Sequence, residues 1–250
     1  MSCRILVAHQ HEVIRIGIQA LLQSLKDLVI CGEAATGLEA IHKAHQLRPD
    51  IVIVSFRMPK ANGYIVSRRL RQLHPEQRLL ILDVVESKSI VRDLLRAGVR
   101  GLISDTDSGV DIVNAVEALR GDAVYFTSFV HEIVMEDYLN QSTSAHQKRG
   151  IQTLSLREQE VLQLLAEGLT TKEVGMALKM SAKTAETHRS MILRKLEIHN
   201  VVQLTHYAVS HDVVHAPVFR LQTELERMEE TDVRNFAICE QAISASAAHA

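Results

Sequence analysis

The feature that most constrains this chain is the alternation of short apolar runs with helical periodicity across its first 120 residues. Arg4-Ile-Leu-Val-Ala8 reads as a buried strand, and Val13 to Leu25 then carries apolar residues at helical spacing. Leu28-Val-Ile-Cys31 reads as a strand and Gly37 to Leu47 as a helix, which Pro49-Asp50 ends. Ile51-Val-Ile-Val54 is unbroken and β-branched, the composition of a strand covered on both faces of a parallel sheet. The pattern continues as helix Gly63–Leu73, strand Leu79–Leu82, helix Ser87–Ala97, strand Gly101–Ser104 and helix Gly109–Leu119. Five βα repeats with short links predict a doubly wound, five-stranded parallel sheet, with its functional crevice beyond the carboxyl ends of the strands.

Residues 125–139 read as one more helix, and Asn140 to Gly150 as a polar linker. From there the pattern is purely helical. Ser155 with Glu158 and Thr170 with Glu173 form two capping boxes, and Ser181 caps a third helix running to about Leu196. Gly168 stands at the C′ position of the first of these helices, and a fourth spans Val201 to Val209. The second and third are separated only by Lys179-Met180, the spacing of a helix-turn-helix. The expected fold class is therefore α/β plus all-α. The expected boundaries are 1–125 for the sheet domain, 126–153 for the extra helix and linker, 154–210 for the four-helix domain, and 211–250 for an acidic tail with helical periodicity from Val218 to Met228.

Composition excludes other classes. No apolar run approaches the roughly 20 residues of a membrane span, and Arg4, His9, Glu12 and Arg15 interrupt any secretory core at the start. Three cysteines (Cys3, Cys31 and Cys239) without paired spacing argue against a disulfide framework or a zinc site, and Cys31 reads as a small packed hydrophobe. The chain reads as cytoplasmic. Its net charge of −2 conceals an uneven distribution: residues 181–195 hold Lys183, Arg189, Arg194 and Lys195 against Glu186 alone. A local basic stripe in a near-neutral chain points to nucleic acid.

In the third helix of the carboxyl-terminal domain, Ala185, Ile192 and Leu196, with Met191 beside them, form an apolar stripe. Lys183, Glu186, Thr187, Ser190 and Arg194 lie away from it, where cations meet phosphates and hydroxyls or an acid meet base edges. Leu154 to Gly168 (LSLREQEVLQLLAEG), Thr171-Lys-Glu-Val174, Ser181-Ala-Lys-Thr184, His188-Arg189 and Lys195-Leu196 resemble the LuxR/NarL-type helix-turn-helix over some 57 residues. The resemblance implies base reading by Glu186, Thr187 and Ser190. It implies backbone contacts from Lys183, Thr184, His188, Arg189 and Lys195, and phosphate contacts from Thr171 and Lys172. Many relatives have Lys where this chain has Glu186, which implies a different operator. The family also implies a homodimer, through the helix Val201–Ala208, on an inverted-repeat site in double-stranded DNA.

The first domain is similar to the receiver domain of response regulators, a flavodoxin-like fold, through Pro49-Asp50, Met58-Pro59, Asn62-Gly63, Ala97-Gly98 and Gly101. Receivers phosphorylate an Asp after the third strand, using an acidic pair that holds Mg²⁺, a Thr/Ser and a Lys. Carried across, the acidic pair becomes His9-Gln10, the acceptor Ser55, the Thr/Ser Asp83 and the Lys Ser104. A hard cation needs carboxylate oxygens and an acyl phosphate needs a carboxylate nucleophile. The resemblance thus implies a pseudo-receiver outside phosphorylation control. Two readings stay open for its crevice: a packing and dimerisation module, or a polar pocket for a small ligand or a protein partner, sensitive to pH through His9 beside Asp83. Tyr125-Phe-Thr-Ser128 sits where cyclic-dinucleotide sensors bind their ligand but lacks their Arg, so its aromatics read as core.

The expected function is a sequence-specific DNA-binding transcription regulator, with no catalytic activity, no cofactor and no metal. The rival is an adaptor or anti-activator that heterodimerises with another regulator.

Overall fold

The computed structural model describes residues 2–84, 87–104, 106–139 and 153–214. The expected linker from 140 to 152, the tail beyond 214 and Cys239 lie outside these residues. Strands β1 (Cys3–Ala8), β2 (Leu28–Ala34), β3 (Ile51–Ser55), β4 (Arg78–Val84) and β5 (Gly101–Ser104) alternate with helices α1 (Glu12–Leu22), α2 (Gly37–Leu47), α3 (Gly63–Leu73), α4 (Lys88–Arg96) and α5 (Gly109–Arg120). The sheet has six strands rather than five. Tyr125–Phe126 forms a short strand, β6, paired in parallel with Gly101 and Leu102 of β5. The helix expected from 125 therefore starts later, as α6 (Ser128–Leu139). Two residues are too few to show a period, which is why the strand is invisible in the sequence.

The strand order is β2-β1-β3-β4-β5-β6, all parallel. Each face of the sheet has its own core. Leu6, Val52, Val54, Leu79 and Ile81 pack against α2, α3 and α4, while Ile5, Ile51, Ile53, Leu80 and Leu82 pack against α1 and α5. The β-branched run of β3 is fully buried because it is covered on both sides. Cys31, expected inside, is half-exposed because β2 is the edge strand. Gly37 opens α2 directly beneath the loop after β3, where a Cβ would lie 1.7 Å from the Ala61 carbonyl. Only glycine allows that approach. Its N–H donates to the Pro59 carbonyl at 3.0 Å and fixes the loop.

The second half contains α7 (Leu156–Ala166), α8 (Thr171–Ala177), α9 (Ala182–Lys195) and α10 (Val201–Ser210) around a third core of Val161, Leu162, Leu165, Val174, Ile192 and Leu204. Both expected capping boxes form, at Ser155 and Thr170. The two halves belong to one unit, Met1–Val214. Leu156 of α7 enters the core of the sheet domain, and Leu38 of α2 packs against the helical core.

Candidate nucleic-acid interface and crevice

The α8–α9 turn is tight because Gly175 has no side chain: a Cβ there would sit 2.8 Å from the Met180 carbonyl. The Met180 N–H donates to the Gly175 carbonyl at 2.8 Å, and Lys179 turns the chain with φ 53°. Ser181 then caps α9, its hydroxyl accepting the Thr184 N–H at 3.0 Å. Ala185 and Ile192 are buried, anchoring one side of the helix, and Met191 and Leu196 are half-buried beside them.

The other side of α9 faces outward. Lys183, Thr184, Glu186, Thr187, Ser190, Arg194 and Lys195 are exposed, and His188 and Arg189 are half-buried. Glu186 pairs with Arg189 one turn on, at 3.2 Å. The Thr187 hydroxyl donates to the Lys183 carbonyl at 3.0 Å. Nδ1 of His188 is buried without a hydrogen-bond partner among the described residues. Lys195 reaches the other way, to the buried carboxylate of Glu158 at 2.7 Å. On α8, Lys172 is exposed and Thr171 half-buried, next to the start of α9.

In the sheet domain, three of the five crevice residues come together. Nε2 of His9 lies 3.3 Å from Oδ2 of Asp83. The His11 N–H donates to Nδ1 of His9 at 3.0 Å, so the ring proton sits on Nε2, toward the carboxylate. Ser55 is buried, bonds Asp83, and accepts the Arg57 N–H at 3.2 Å. Asp83 projects from a break in the β4–β5 register between Ile81 and Val84, with φ 56°. Burial pushes its carboxyl upward. Hydrogen bonds from His9 and Ser55, with the positive charge of Arg57 nearby, outweigh burial and hold it below the usual carboxylate range.

The other two crevice positions point elsewhere. Gln10 is exposed and bonds Nε2 of His11 at 3.1 Å. The Ser104 hydroxyl bonds Thr106 at 2.6 Å, and its N–H donates to Asp107 at 2.7 Å. No group of three or more His, Cys, Asp or Glu among the described residues is arranged to hold a metal ion. No helix among them is long and apolar enough to cross a membrane.

The sequence reading missed the contact between the crevice loop and α7. Gln163 accepts the Asn62 N–H at 2.7 Å and donates to the Met58 carbonyl at 3.0 Å. Glu167 accepts the Lys60 N–H at 2.9 Å, and the Asn62 amide donates to the Val213 carbonyl at 3.1 Å. Arg69 of α3 forms a two-pronged pair with the buried Glu160, which Arg157 also holds at 2.8 Å. The signal was present: Glu158, Gln159, Glu160 and Gln163 sit among the apolar residues of α7, and all four are buried. A helix whose polar side is covered needs a second partner.

Residues 5–117 match the response regulator receiver domain, and residues 152–208 match the bacterial regulatory proteins of the luxR family. The response regulator protein VraR of Staphylococcus aureus is 32% identical over 216 residues, which span 86% of this chain and 100% of that protein. RcsB from Salmonella enterica serovar Typhimurium, solved bound to promoter P1flhDC with the phosphomimetic BeF3⁻, has a TM-score of 0.53 at 21% identity, covering 84% of this chain and 100% of RcsB. A LuxR-family two-component response regulator from Aurantimonas sp. SI85-9A1 gives a TM-score of 0.52 at 22% identity, over 56% of this chain and 99% of its own. These two structural likenesses are likenesses of fold.

Proposed function

We propose, for a chain that belongs to the LuxR family of response regulators, that it regulates transcription by sequence-specific DNA binding, under control of dimerisation or a non-phosphate signal rather than aspartyl phosphorylation. The observation that carries this reading is the outward face of α9, which stays exposed while α7 is docked on the loop after β3. A helix seated in the major groove reads bases from such a face while cations around it hold phosphates. In this reading Glu186, Thr187 and Ser190 meet base edges. Lys183, Thr184, His188, Arg189 and Arg194 hold the backbone from α9, joined by Thr171 and Lys172 from α8. Lys195 contributes less, since its ammonium is already engaged by Glu158. Selection from a pool of randomised duplexes tests the proposal, and an enriched inverted repeat bound by the pure protein is the expected outcome.

The crevice supports the second half of the proposal. Its acceptor position is a serine, which cannot form an acyl phosphate. The only carboxylate among the five positions is Asp83, already bonded by His9 and Ser55. Incubation with acetyl phosphate and Mg²⁺, followed by intact-mass measurement, is expected to leave the mass unchanged. A stable phosphoryl adduct on an aspartate overturns phosphate-independent control.

The Glu186–Arg189 pair favours a second reading, since it neutralises a cation on the reading face. In that reading the chain is an adaptor that heterodimerises with another regulator, and it enriches no sequence from the randomised pool.

A further inference from the structure

Between α3, the end of α4 and the start of α7 lies a cleft of about 690 Å³ that the functional reading leaves without a role. We propose that this cleft binds a small phosphate monoester. Its size falls within the roughly 300–1,000 Å³ of small-molecule sites. Arg68, Arg96 and Lys195 line it, against a single acid, Asp93.

Arg68 is the centre of the site. It is half-buried, and its partners are neutral: the Tyr64 hydroxyl at 2.8 Å and the Tyr64 ring, whose centroid is 5.8 Å from the guanidinium carbon. No carboxylate within ion-pair distance offsets its charge among the described residues. A half-buried guanidinium held by a phenol keeps most of its donors for an incoming oxyanion. Arg96 lines the same cleft, more than half exposed and only loosely paired with Asp93 at 3.4 Å. Lys195 also lines the cleft while its ammonium is bonded to Glu158.

The chemistry selects the ligand class. Arg68 has no carboxylate partner among the described residues, Arg96 is only loosely paired with Asp93 and Lys195 shares its charge with Glu158, so the cleft keeps a net positive charge, which the anionic oxygens of a phosphate monoester would meet. Guanidinium forks match phosphate oxygens with paired hydrogen bonds. Tyr64, Leu154 and Leu156 supply an apolar wall for the organic part of the ester. The residues come from both halves of the protein, so a bound ester would bridge α3 and α4 to α7 and α9.

Titration calorimetry on the full chain tests this with three probes: inorganic phosphate, AMP and glucose 6-phosphate. Saturable binding of at least one ester is expected, weakened about tenfold or more by Arg68→Ala and by Arg96→Ala. Arg68→Lys, which keeps the charge and the fold but loses the fork, should weaken it as well. Lys183→Ala, on the outward face of α9, should leave it unchanged. Absence of saturable heat with all three probes overturns the proposal. So does binding that Lys183→Ala weakens and the two arginine variants do not, or binding that duplex DNA displaces, because either outcome assigns the phosphate to the DNA face. Which half of the ester selects is read directly: AMP alone indicates a nucleotide, glucose 6-phosphate alone a sugar phosphate, and both equally a site for the phosphate group.

Discussion

Gln163 clamps the crevice loop around Asn62: its carbonyl oxygen accepts the Asn62 N–H at 2.7 Å while its amide donates to the Met58 carbonyl at 3.0 Å. Asn62 in turn caps α3 by accepting the Ile65 N–H at 3.0 Å. One α7 side chain thus grips the loop that follows Ser55 at the end of β3. Gln163→Ala would leave the Asn62 N–H and the Met58 carbonyl buried without partners. Each buried unpaired group costs about 1–3 kcal/mol. Urea unfolding should show a lower midpoint by that order, and an unchanged midpoint would mean the loop and α7 do not hold one another in solution.

Arg69 and Glu160 make a second, charged link. The Glu160 side chain is only 2% exposed, so removing Arg69 leaves a buried carboxylate with Arg157 as its one remaining cation among the described residues. Breaking a buried pair by deleting one partner costs roughly 3–5 kcal/mol, and the surviving Arg157 and the 31% exposure of Arg69 reduce that to about 1–3 kcal/mol. Arg69→Ala should therefore destabilise more than Arg69→Ala combined with Glu160→Leu, which removes the orphaned charge. Equal losses in the two variants would show that solvent already screens the pair.

Cations and hydroxyls on α9 should separate in their effects on DNA. Lys183→Ala should weaken binding to every sequence alike and lower the salt slope by about one unit, the signature of one lost phosphate contact. Thr187→Ala or Ser190→Ala should shift the preferred sequence, with a cost of about 1–3 kcal/mol at the affected base pair only. Fluorescence anisotropy across a salt series on selected and scrambled duplexes reads both. A hydroxyl variant that loses affinity uniformly would remove that residue from base reading.

Most of the fold was legible in the sequence because its punctuation is explicit. Pro49-Asp50, Asn62-Gly63 and Ser181 stop or start elements through local chemistry, and α2, α3 and α9 have the ends those residues predict. The outward face of α9 was legible for the same reason, since helical spacing alone separates Ala185 and Ile192 from Lys183 and Thr187. What stayed hidden depends on distant partners. The polar residues of α7 signal a second partner for that helix, but that Gln163 meets the loop from Met58 to Asn62 is set by residues about a hundred positions away. The meeting of His9 and Asp83 was expected, but the break in strand register from which Asp83 projects is encoded by no local pattern. The edge position of Cys31 follows from strand order, which the sequence implies only through the fold family.

Asp83 sets the acid response of the crevice. Its folded carboxyl lies below the unfolded value, so it contributes stability above the ordinary carboxylate pKa of about 3.9, and that contribution is lost as pH falls through the lower, folded value. The stability difference between the wild type and Asp83→Asn should be full at pH 6 and shrink as pH falls below the ordinary carboxylate value of about 3.9. A difference that stays constant across this range would show that Asp83 titrates alike in the folded and unfolded chains.

Val202 tests the dimer. It is 78% exposed on α10, and His206 and Val209 follow at four and seven residues, on the same side of the helix. Leu204 and Ala208 face the core instead, so the Val202 side is not needed for the fold. A largely exposed valine on a helix with a buried opposite face gains by meeting its own copy across a two-fold axis. Val202→Asp should leave thermal stability nearly unchanged, within about 0.5 kcal/mol. It should abolish self-association in sedimentation and lower affinity for an inverted repeat by roughly tenfold or more, because the second half-site loses its effective concentration. Affinity for a single half-site should not change. Retained cooperativity on the inverted repeat would place the dimer contact elsewhere on the chain.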